Sequence, residues 1–189
     1  MANDHGNVDR HRRMLLGAGV GGCVGAALGT RVETVAAAST VKPGDVLVHS
    51  GGDDQGEAVD AKALIPLEPV LTRPRSSAGK VRQGKNNLIT VVRVPAGELD
   101  PRFADVAAGD VVAVSAVCTH QGCLVSDVGH FGTAEGKLAC SCHGSVFDPR
   151  VGGKNVEGPA PRGLPALPID QKDGQLVVTG EFTGKVGPS

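Results

Sequence analysis

Short apolar runs separated by turn residues dominate the chain after residue 87. They are LITVVRV (88–94), DVVAVSAV (110–117), KLAC (137–140), SVFD (145–148), ALPID (166–170) and QLVVTG (175–180). Most of these runs are rich in aliphatic residues and are bounded by Gly, Pro, Asp or Asn, as is typical of strands joined by tight turns. A short helix is expected only at residues 98–108. The pattern therefore predicts one all-β domain over residues 69–189.

The composition changes this picture in one respect. The 189 residues include 28 Gly and 12 Pro, but aromatic residues make up only 2%, and Trp and Tyr are missing. A core built from Val, Leu, Ile and Ala gains less burial free energy per residue than one with aromatic side chains. We therefore expect a covalent or metal crosslink to help stabilise the domain. The net charge of -1 gives no indication of a nucleic-acid partner.

The N-terminal segment has the layout of an export signal. Arg10, Arg12 and Arg13 precede an uncharged run (14–30), and small residues follow it. The adjacent Arg12 and Arg13 resemble a twin-arginine signal. We expect residues 1–39 to be such a signal or a retained membrane anchor. The mature protein would then be periplasmic, or would lie at the outer face of the bacterial cytoplasmic membrane.

Three further features of the first half of the chain need an interpretation. Cys23 is interpreted as a small apolar residue of the N-terminal run, with lipidation as the alternative. Residues 40–68 are polar and rich in Gly and Asp, which predicts a flexible spacer. Residues 72–87 carry five basic side chains and no acidic one, which predicts a solvated loop. Docking of an acidic partner is the alternative for this loop.

Two short sequence boxes hold four of the five cysteines and two of the six histidines. They are CTHQGC (118–123) and CSCHGS (140–145). Each box follows an apolar strand and enters a turn that contains glycine, so two loops at strand ends can face each other. The candidate metal ligands are Cys118, His120, Cys140 and His143. Cys123 and Cys142 are left over, one in each box.

Three kinds of site compete for these residues. A zinc site would use two cysteines and two histidines, but the C-x-H spacing is tighter than usual and each box keeps a spare cysteine. A plain disulfide framework explains the cysteines and ignores the histidines. A two-iron, two-sulfide cluster with two cysteines on one iron and two histidines on the other accounts for all six residues if Cys123 and Cys142 bridge the two loops. The cluster is the favoured interpretation, and a structural zinc protein is the remote alternative.

The two boxes resemble those of a Rieske iron–sulfur protein of the type found in cytochrome bc complexes and in the small subunit of arsenite oxidase. The resemblance covers residues 88–179 and implies an antiparallel β-sandwich with an inserted cluster-binding part at about 117–163. It implies that Cys118 and Cys140 bind one iron of a 2Fe–2S cluster. The other iron would be bound by His120 and His143. Cys123 and Cys142 match the disulfide of the family.

The resemblance also implies roles for residues around the cluster. GPAP resembles the proline loop that lies over the cluster, and it contributes Gly158, Pro159 and Pro161. Ser145 occupies the position of a hydrogen-bond donor to a bridging sulfide. Phe147 stands where high-potential respiratory members have a Tyr that donates to a cysteine sulfur. One donor is therefore lost, and we expect a lower reduction potential than in those members.

Neutral imidazole ligands leave the oxidised centre without net charge, whereas four thiolates would leave a charge of −2. An electron enters a neutral centre more easily, so such centres have potentials of about −150 to +300 mV. The resemblance thus implies a one-electron carrier, and the sequence predicts no catalytic residue and no bond chemistry by this chain alone.

Two roles for such a carrier stay open. In the first, the chain is the iron–sulfur subunit of a quinol:cytochrome c oxidoreductase. Cytochrome b and a c-type cytochrome are then its partners, quinol is its reductant, and the spacer lets the head move. In the second, the chain is a small electron-relay subunit beside a catalytic oxidase or dehydrogenase subunit.

Overall fold

The structure of the protein is a computed structural model that describes residues 39–130 and 132–188. Residues 1–38 of the predicted signal or anchor, with Arg12, Arg13 and Cys23, lie outside the described residues. The strands within the described part are β1 (Val46–His49), β2 (Val70–Arg75), β3 (Ile89–Arg93), β4 (Val111–Ser115), β5 (Asp127–Val128), β6 (Leu138–Cys140), β7 (Ser145–Asp148), β8 (Lys154–Glu157), β9 (Ile169–Lys172) and β10 (Gln175–Val178).

These strands form two antiparallel sheets. The larger sheet has the order β4-β3-β2-β1-β10-β9, and the smaller has the order β5-β6-β7-β8. All strands of the smaller sheet lie between β4 and β9 in the sequence, so this sheet is an insertion into the larger one. The structure confirms the predicted all-β architecture with an inserted subdomain.

Strands β3 and β4 are buried on both faces. Because successive side chains of a strand point to opposite faces, Val91 and Ala113 enter one hydrophobic core and Val92 and Val114 enter the other. The second core also contains residues of the smaller sheet and both candidate cysteine ligands. The insertion is therefore packed against the outer strands of the large sheet, with the candidate site at the edge of a continuous core.

The prediction of a flexible spacer at residues 40–68 is wrong. This stretch contains β1, which pairs with β2 on one side and with β10 on the other. Leu47 and Val48 are fully buried, and Val41 is also part of the core. The strand has only four residues between glycine-rich and acidic segments, so the surrounding polar composition hid a central strand of the sheet.

The basic segment 72–87 is also more structured than expected. Its first residues belong to β2, and Arg82 forms an ion pair with the buried Asp45 at 2.6 Å. Arg73 and Arg75 donate hydrogen bonds to the backbone carbonyls of Gly84 and Gly56. Three of the five cations therefore bind the domain itself, which does not favour the docking interpretation of this loop.

Short 3-10 helices connect the strands, and the expected helix at 98–108 is one of them. Their bounds are Ala61–Ala63, Lys85–Asn87, Pro101–Val106, Gly132–Ala134 and Pro149–Val151. Within residues 39–130 and 132–188, no helix has the length and apolar character that crossing a bilayer requires.

Candidate metal centre

The two boxes form the same turn. The N–H of Gly122 donates to the carbonyl of Cys118 at 2.9 Å, and the N–H of Gly144 donates to the carbonyl of Cys140 at 3.0 Å. Both glycines have positive φ values, of 76° and 72°, which glycine adopts at no steric cost. The first cysteine thus lies three residues after β4 in one box and at the end of β6 in the other, and each box places its histidine inside a tight loop.

The cysteines that begin the boxes are both buried and both reduced. Cys118 is 1% exposed and Cys140 is 2% exposed. Burial raises the pKa of the Cys118 thiol, and the neighbouring Cys140 thiol adds to the rise, while the backbone N–H groups of His120 and Gln121 oppose it. A cation that replaced the thiol proton would remove this penalty, because it would supply the positive charge that a buried thiolate lacks.

The two histidines meet edge to face. Their ring centroids are 4.7 Å apart and the planes differ by 86°. Nδ1 of His120 is buried, and no group in the described part of the chain forms a hydrogen bond with it. Since buried polar atoms are normally paired, this nitrogen has the character of a metal ligand. His143, by contrast, is exposed to solvent.

The left-over cysteines join the two boxes. Cys123 and Cys142 form a disulfide with a Cα–Cα distance of 6.5 Å, as the family resemblance implies. Sγ of Cys140 lies within 4.8 Å of both sulfur atoms of this bond. Those three sulfurs are not a ligand set, because a disulfide sulfur carries no thiolate charge. The crosslink instead keeps the loop of Cys140 next to the first box.

The proline loop contacts the second box. The N–H of Ala160 donates to Oγ of Ser145 at 3.1 Å, which leaves the hydroxyl proton of Ser145 able to bond another acceptor. A Cβ on Gly158 would lie 2.5 Å from Cα of Ser145, so the backbones are too close for any side chain there. Pro159 and Pro161 are exposed on either side of the buried Ala160.

Other residues of the site differ in how well the sequence identified them. Phe147 is fully buried in the same core as Cys118 and Cys140, so its ring lies on the inner side of the site. Thr119 was missed, although its hydroxyl donates to the carbonyl of Arg162 at 2.6 Å. Its position between Cys118 and His120 could have identified Thr119 as a residue of the site. Arg162 had no comparable signal, since it follows the proline loop without any motif.

The fold and the site together define a class: a β-sandwich whose inserted subdomain holds a metal centre between two crosslinked loops. Comparison with known proteins agrees with it. The family model of the Rieske [2Fe-2S] domain matches residues 76–168. The chain belongs to the Rieske [2Fe–2S] proteins through this domain, and its cofactor is a Rieske-type 2Fe–2S cluster.

Relatives of the chain carry names of respiratory subunits. The chain is 35% identical to a putative respiratory nitrate reductase subunit Rieske of Haloferax mediterranei, over 75% of this chain and 63% of that protein. It is 34% identical to the cytochrome bc1 complex Rieske iron–sulfur subunit of Corynebacterium diphtheriae, over 72% of this chain and 32% of that protein. It thus spans less than two thirds of either relative.

Among solved structures, the soluble domain of the Rieske protein II from Sulfolobus acidocaldarius is 26% identical to the chain. The similarity covers 52% of this chain and 66% of that one, with a TM-score of 0.38.

Proposed function

We propose that this protein carries single electrons within a respiratory complex. The observation that supports this most directly is the arrangement of the four candidate ligands. Two buried thiols and two histidines that face each other lie on loops joined by a disulfide, and His143 is exposed. Cys118 and Cys140 would bind one iron of the cluster, and His120 and His143 would bind the other.

The residues present fit a 2Fe–2S cluster. Two thiols and two imidazoles are the donor set of a Rieske centre. The buried Nδ1 of His120 lacks a partner that a metal would supply. When bound, the cluster supplies reversible uptake of one electron at a raised potential. Both free thiols are deep enough in the core for the protein to exclude water from the cysteine side of the site.

The ring nitrogens that do not face the metal would carry the ring protons. With Nδ1 of His120 facing the metal, its Nε2 would carry the ring proton. His143 is exposed, so the ring nitrogen of His143 that does not face the metal can exchange a proton or a hydrogen bond with a molecule outside the domain. An electron donor that also releases protons would therefore bind at the second box, beside His143.

The first candidate role is the iron–sulfur subunit of a quinol:cytochrome c oxidoreductase, with cytochrome b and a c-type cytochrome as partners. The exposed position of His143 supports it, since a quinol must lose a proton with each electron. The name of the corynebacterial relative supports it as well. Residues 41–68 belong to the folded domain, so they cannot act as the linker that would let the head move.

The second candidate role is an electron-relay subunit beside a catalytic oxidase or dehydrogenase subunit. The haloarchaeal relative, whose name places it in a nitrate reductase, supports this role. Phe147 supports it too, because the expected loss of one donor lowers the potential below that of high-potential members. The fixed packing of residues 41–68 is compatible with a head that does not move.

For either role we place the domain outside the bacterial cytoplasmic membrane, exported by a twin-arginine-like route and attached through its N-terminal segment. Replacing both Arg12 and Arg13 by Lys should leave the protein in the cytoplasm, because the paired guanidinium groups are the signal. Fractionation of cells that express both forms tests this. Equal export of the two forms would contradict the route.

Metal analysis tests the electron-carrier proposal. The full chain, purified under mild conditions, should contain about two iron and two sulfide per chain and give a spin-half EPR spectrum when reduced. One zinc and no signal would contradict it. The two roles separate in the complex isolated from native membranes, where a b-type haem supports the first role and a molybdenum subunit supports the second.

A further inference from the structure

The last described residues form a segment that returns to the first box. We name residues 181–188 the closing strap. Thr183 fixes its start, because its N–H donates to the carbonyl of Ala166 at 2.8 Å and its hydroxyl accepts the N–H of Ala166 at 2.9 Å. Ala166 in turn forms a bridge with Val114 of β4, the strand that leads into the first box.

The end of the strap lies against both ends of the first box. Gly187 is buried, and a Cβ on it would lie 3.3 Å from Cγ1 of Val117, the residue before Cys118. A Cβ on Gly122 would lie 3.4 Å from Cδ of Pro188. The strap is thus in van der Waals contact with the turn that carries His120.

Arg162 connects the strap to the first box. Its guanidinium Nη2 donates to the carbonyl of Gly187 at 2.5 Å, a charge-assisted bond of the stronger kind. Its own carbonyl accepts the hydroxyl of Thr119 at 2.6 Å. Among the described residues, Arg162 takes part in no ion pair. Its one charged group is therefore used to hold the strap.

The first box needs this support more than the second. The second box lies inside the hairpin of β6 and β7, where Cys140 pairs with Ser145. The first box lies between β4 and β5, which belong to different sheets. The isolated bridge of Val117 with Leu124 is the sheet pairing that closes it. A loop at such a crossover gains order from contacts outside its own strands.

We propose that Arg162 and the closing strap are positioning elements that hold the first box in its metal-binding geometry. They contact the ligand-bearing turn without supplying a ligand. This inference rests on the proposed function for its link to the cluster, since it takes Cys118 and His120 as ligands. The order of the loop itself can be measured without metal.

The test compares Arg162→Gln with Arg162→Lys in the full chain, and adds a chain that ends after Lys185. Arg102→Gln is the matched control, because Arg102 lines the same cavity as Arg162 and Thr183, but its guanidinium pairs with Asp100 and forms none of the described hydrogen bonds to the strap. Lysine keeps a charged donor for the carbonyl of Gly187, whereas glutamine loses the charge and part of the reach.

Two readouts are needed. Hydrogen exchange of the Gly122 amide, in metal-free protein with the disulfide intact, should be about tenfold faster in Arg162→Gln and in the shortened chain. Loss of iron to a chelator from loaded protein should accelerate by a similar factor. Arg162→Lys should restore most of both rates, and Arg102→Gln should match the wild type.

Each outcome decides a separate question. Unchanged exchange at Gly122 in both Arg162→Gln and the shortened chain would overturn the inference. Exchange that rises equally in the Gly144 turn, together with a lower thermal midpoint, would also overturn it, because the strap would then stabilise the whole domain. Wild-type protein without iron would overturn the proposed function and leave the exchange test intact.

Discussion

The two boxes have the same turn and opposite surroundings. In the first box, Cys118 and Thr119 are buried and Nδ1 of His120 is sealed from solvent. In the second box, the residues between Cys140 and Ser145 are all exposed, including His143. One turn, closed in each case by a glycine N–H, therefore produces an inner loop and an outer loop.

The difference shows how a site can be both anchored and accessible. The inner loop is held by the threonine bond to Arg162 and by contacts with the strap. The outer loop is held by its hairpin, by the disulfide and by the proline loop at Ser145. Ligands from the inner loop would fix the cluster in the core, and His143 from the outer loop would present it to a partner.

The largest effect should come from the close contact of the proline loop with the outer loop. Gly158→Ala places a Cβ 2.5 Å from Cα of Ser145 at a φ of 86°. Steric overlap and a strained backbone together should cost roughly 4 kcal/mol of unfolding free energy. Gly144→Ala is the control, because its φ is also positive but no atom lies within 4 Å. It should cost only about 1–2 kcal/mol.

Denaturant unfolding of both variants measures this difference. Equal costs for Gly144→Ala and Gly158→Ala would mean that the proline loop moves away from Ser145 easily. The proline loop would then not hold the outer loop in place at Ser145.

Removal of the crosslink should have the next largest effect. The disulfide joins residues 19 apart in sequence, and closing a loop of that length stabilises the fold by about 3 kcal/mol on the chain-entropy model. Cys142→Ser should therefore lower stability by this amount and give a labile cluster instead of none. Mass spectrometry that finds two free thiols at Cys123 and Cys142 in the native exported protein would contradict the crosslink.

Removing a hydroxyl group beside the site should lower the reduction potential, and adding one should raise it. Ser145→Ala removes the proposed donor to a bridging sulfide and leaves the N–H of Ala160 without its partner, so the potential should fall and stability should drop by about 1–2 kcal/mol. Phe147→Tyr should add a donor and raise the potential. Redox titration followed by EPR measures both. A potential that stays constant or falls in Phe147→Tyr would show that this ring does not face the cluster.

The smallest effect concerns an ion pair formed by residues outside both boxes, Asp100 and Arg102. Arg102 lowers the pKa of Asp100 from 3.8 to about 2 through hydrogen bonds to its carboxylate. Because the pKa in the folded protein is depressed, the pair stabilises the fold above about pH 4 and loses its effect as the pH falls towards 2. Asp100→Asn should be less stable than the wild type at pH 6, with a difference that shrinks below pH 4.

Thermal unfolding across this range checks the prediction for Asp100. A difference between Asp100→Asn and the wild type that is the same at pH 2 and at pH 6 would exclude the linkage. The EPR signal of the loaded protein at pH 6 should be identical in both forms.

Residues with a chemical signature were predictable from the sequence, and residues defined by long-range packing were not. The boxes stand out because cysteine and histidine are rare in the chain, and β3, β4, β6 and β7 stand out through their branched aliphatic residues. Strand β1 could not be recognised in this way, since its burial depends on strands that are distant in sequence. Strand β8 is mostly exposed and polar, so no apolar alternation marks it.

The support of the inner loop was equally hidden. Arg162 bonds to Thr119, which lies 43 positions away in sequence, and to Gly187, which lies 25 positions away. An arginine after a proline-rich turn is ordinarily a surface residue, and only the fold gives its guanidinium a carbonyl acceptor. The same holds for Asp45, whose burial beside Arg82 no local pattern indicates.

The measurement that tests the proposed ligand set most directly is pulsed EPR of the reduced full chain, which detects nitrogen bound to the iron. Binding of the cluster by both histidines predicts two coupled nitrogens, one from His120 and one from His143. Exchange into D2O should readily replace the ring proton of the exposed His143, whereas the buried Nδ1 of His120, as a ligand atom, carries no proton to exchange. A reduced cluster that shows no coupled nitrogen would contradict the ligand set, because all of its ligands would then be sulfur.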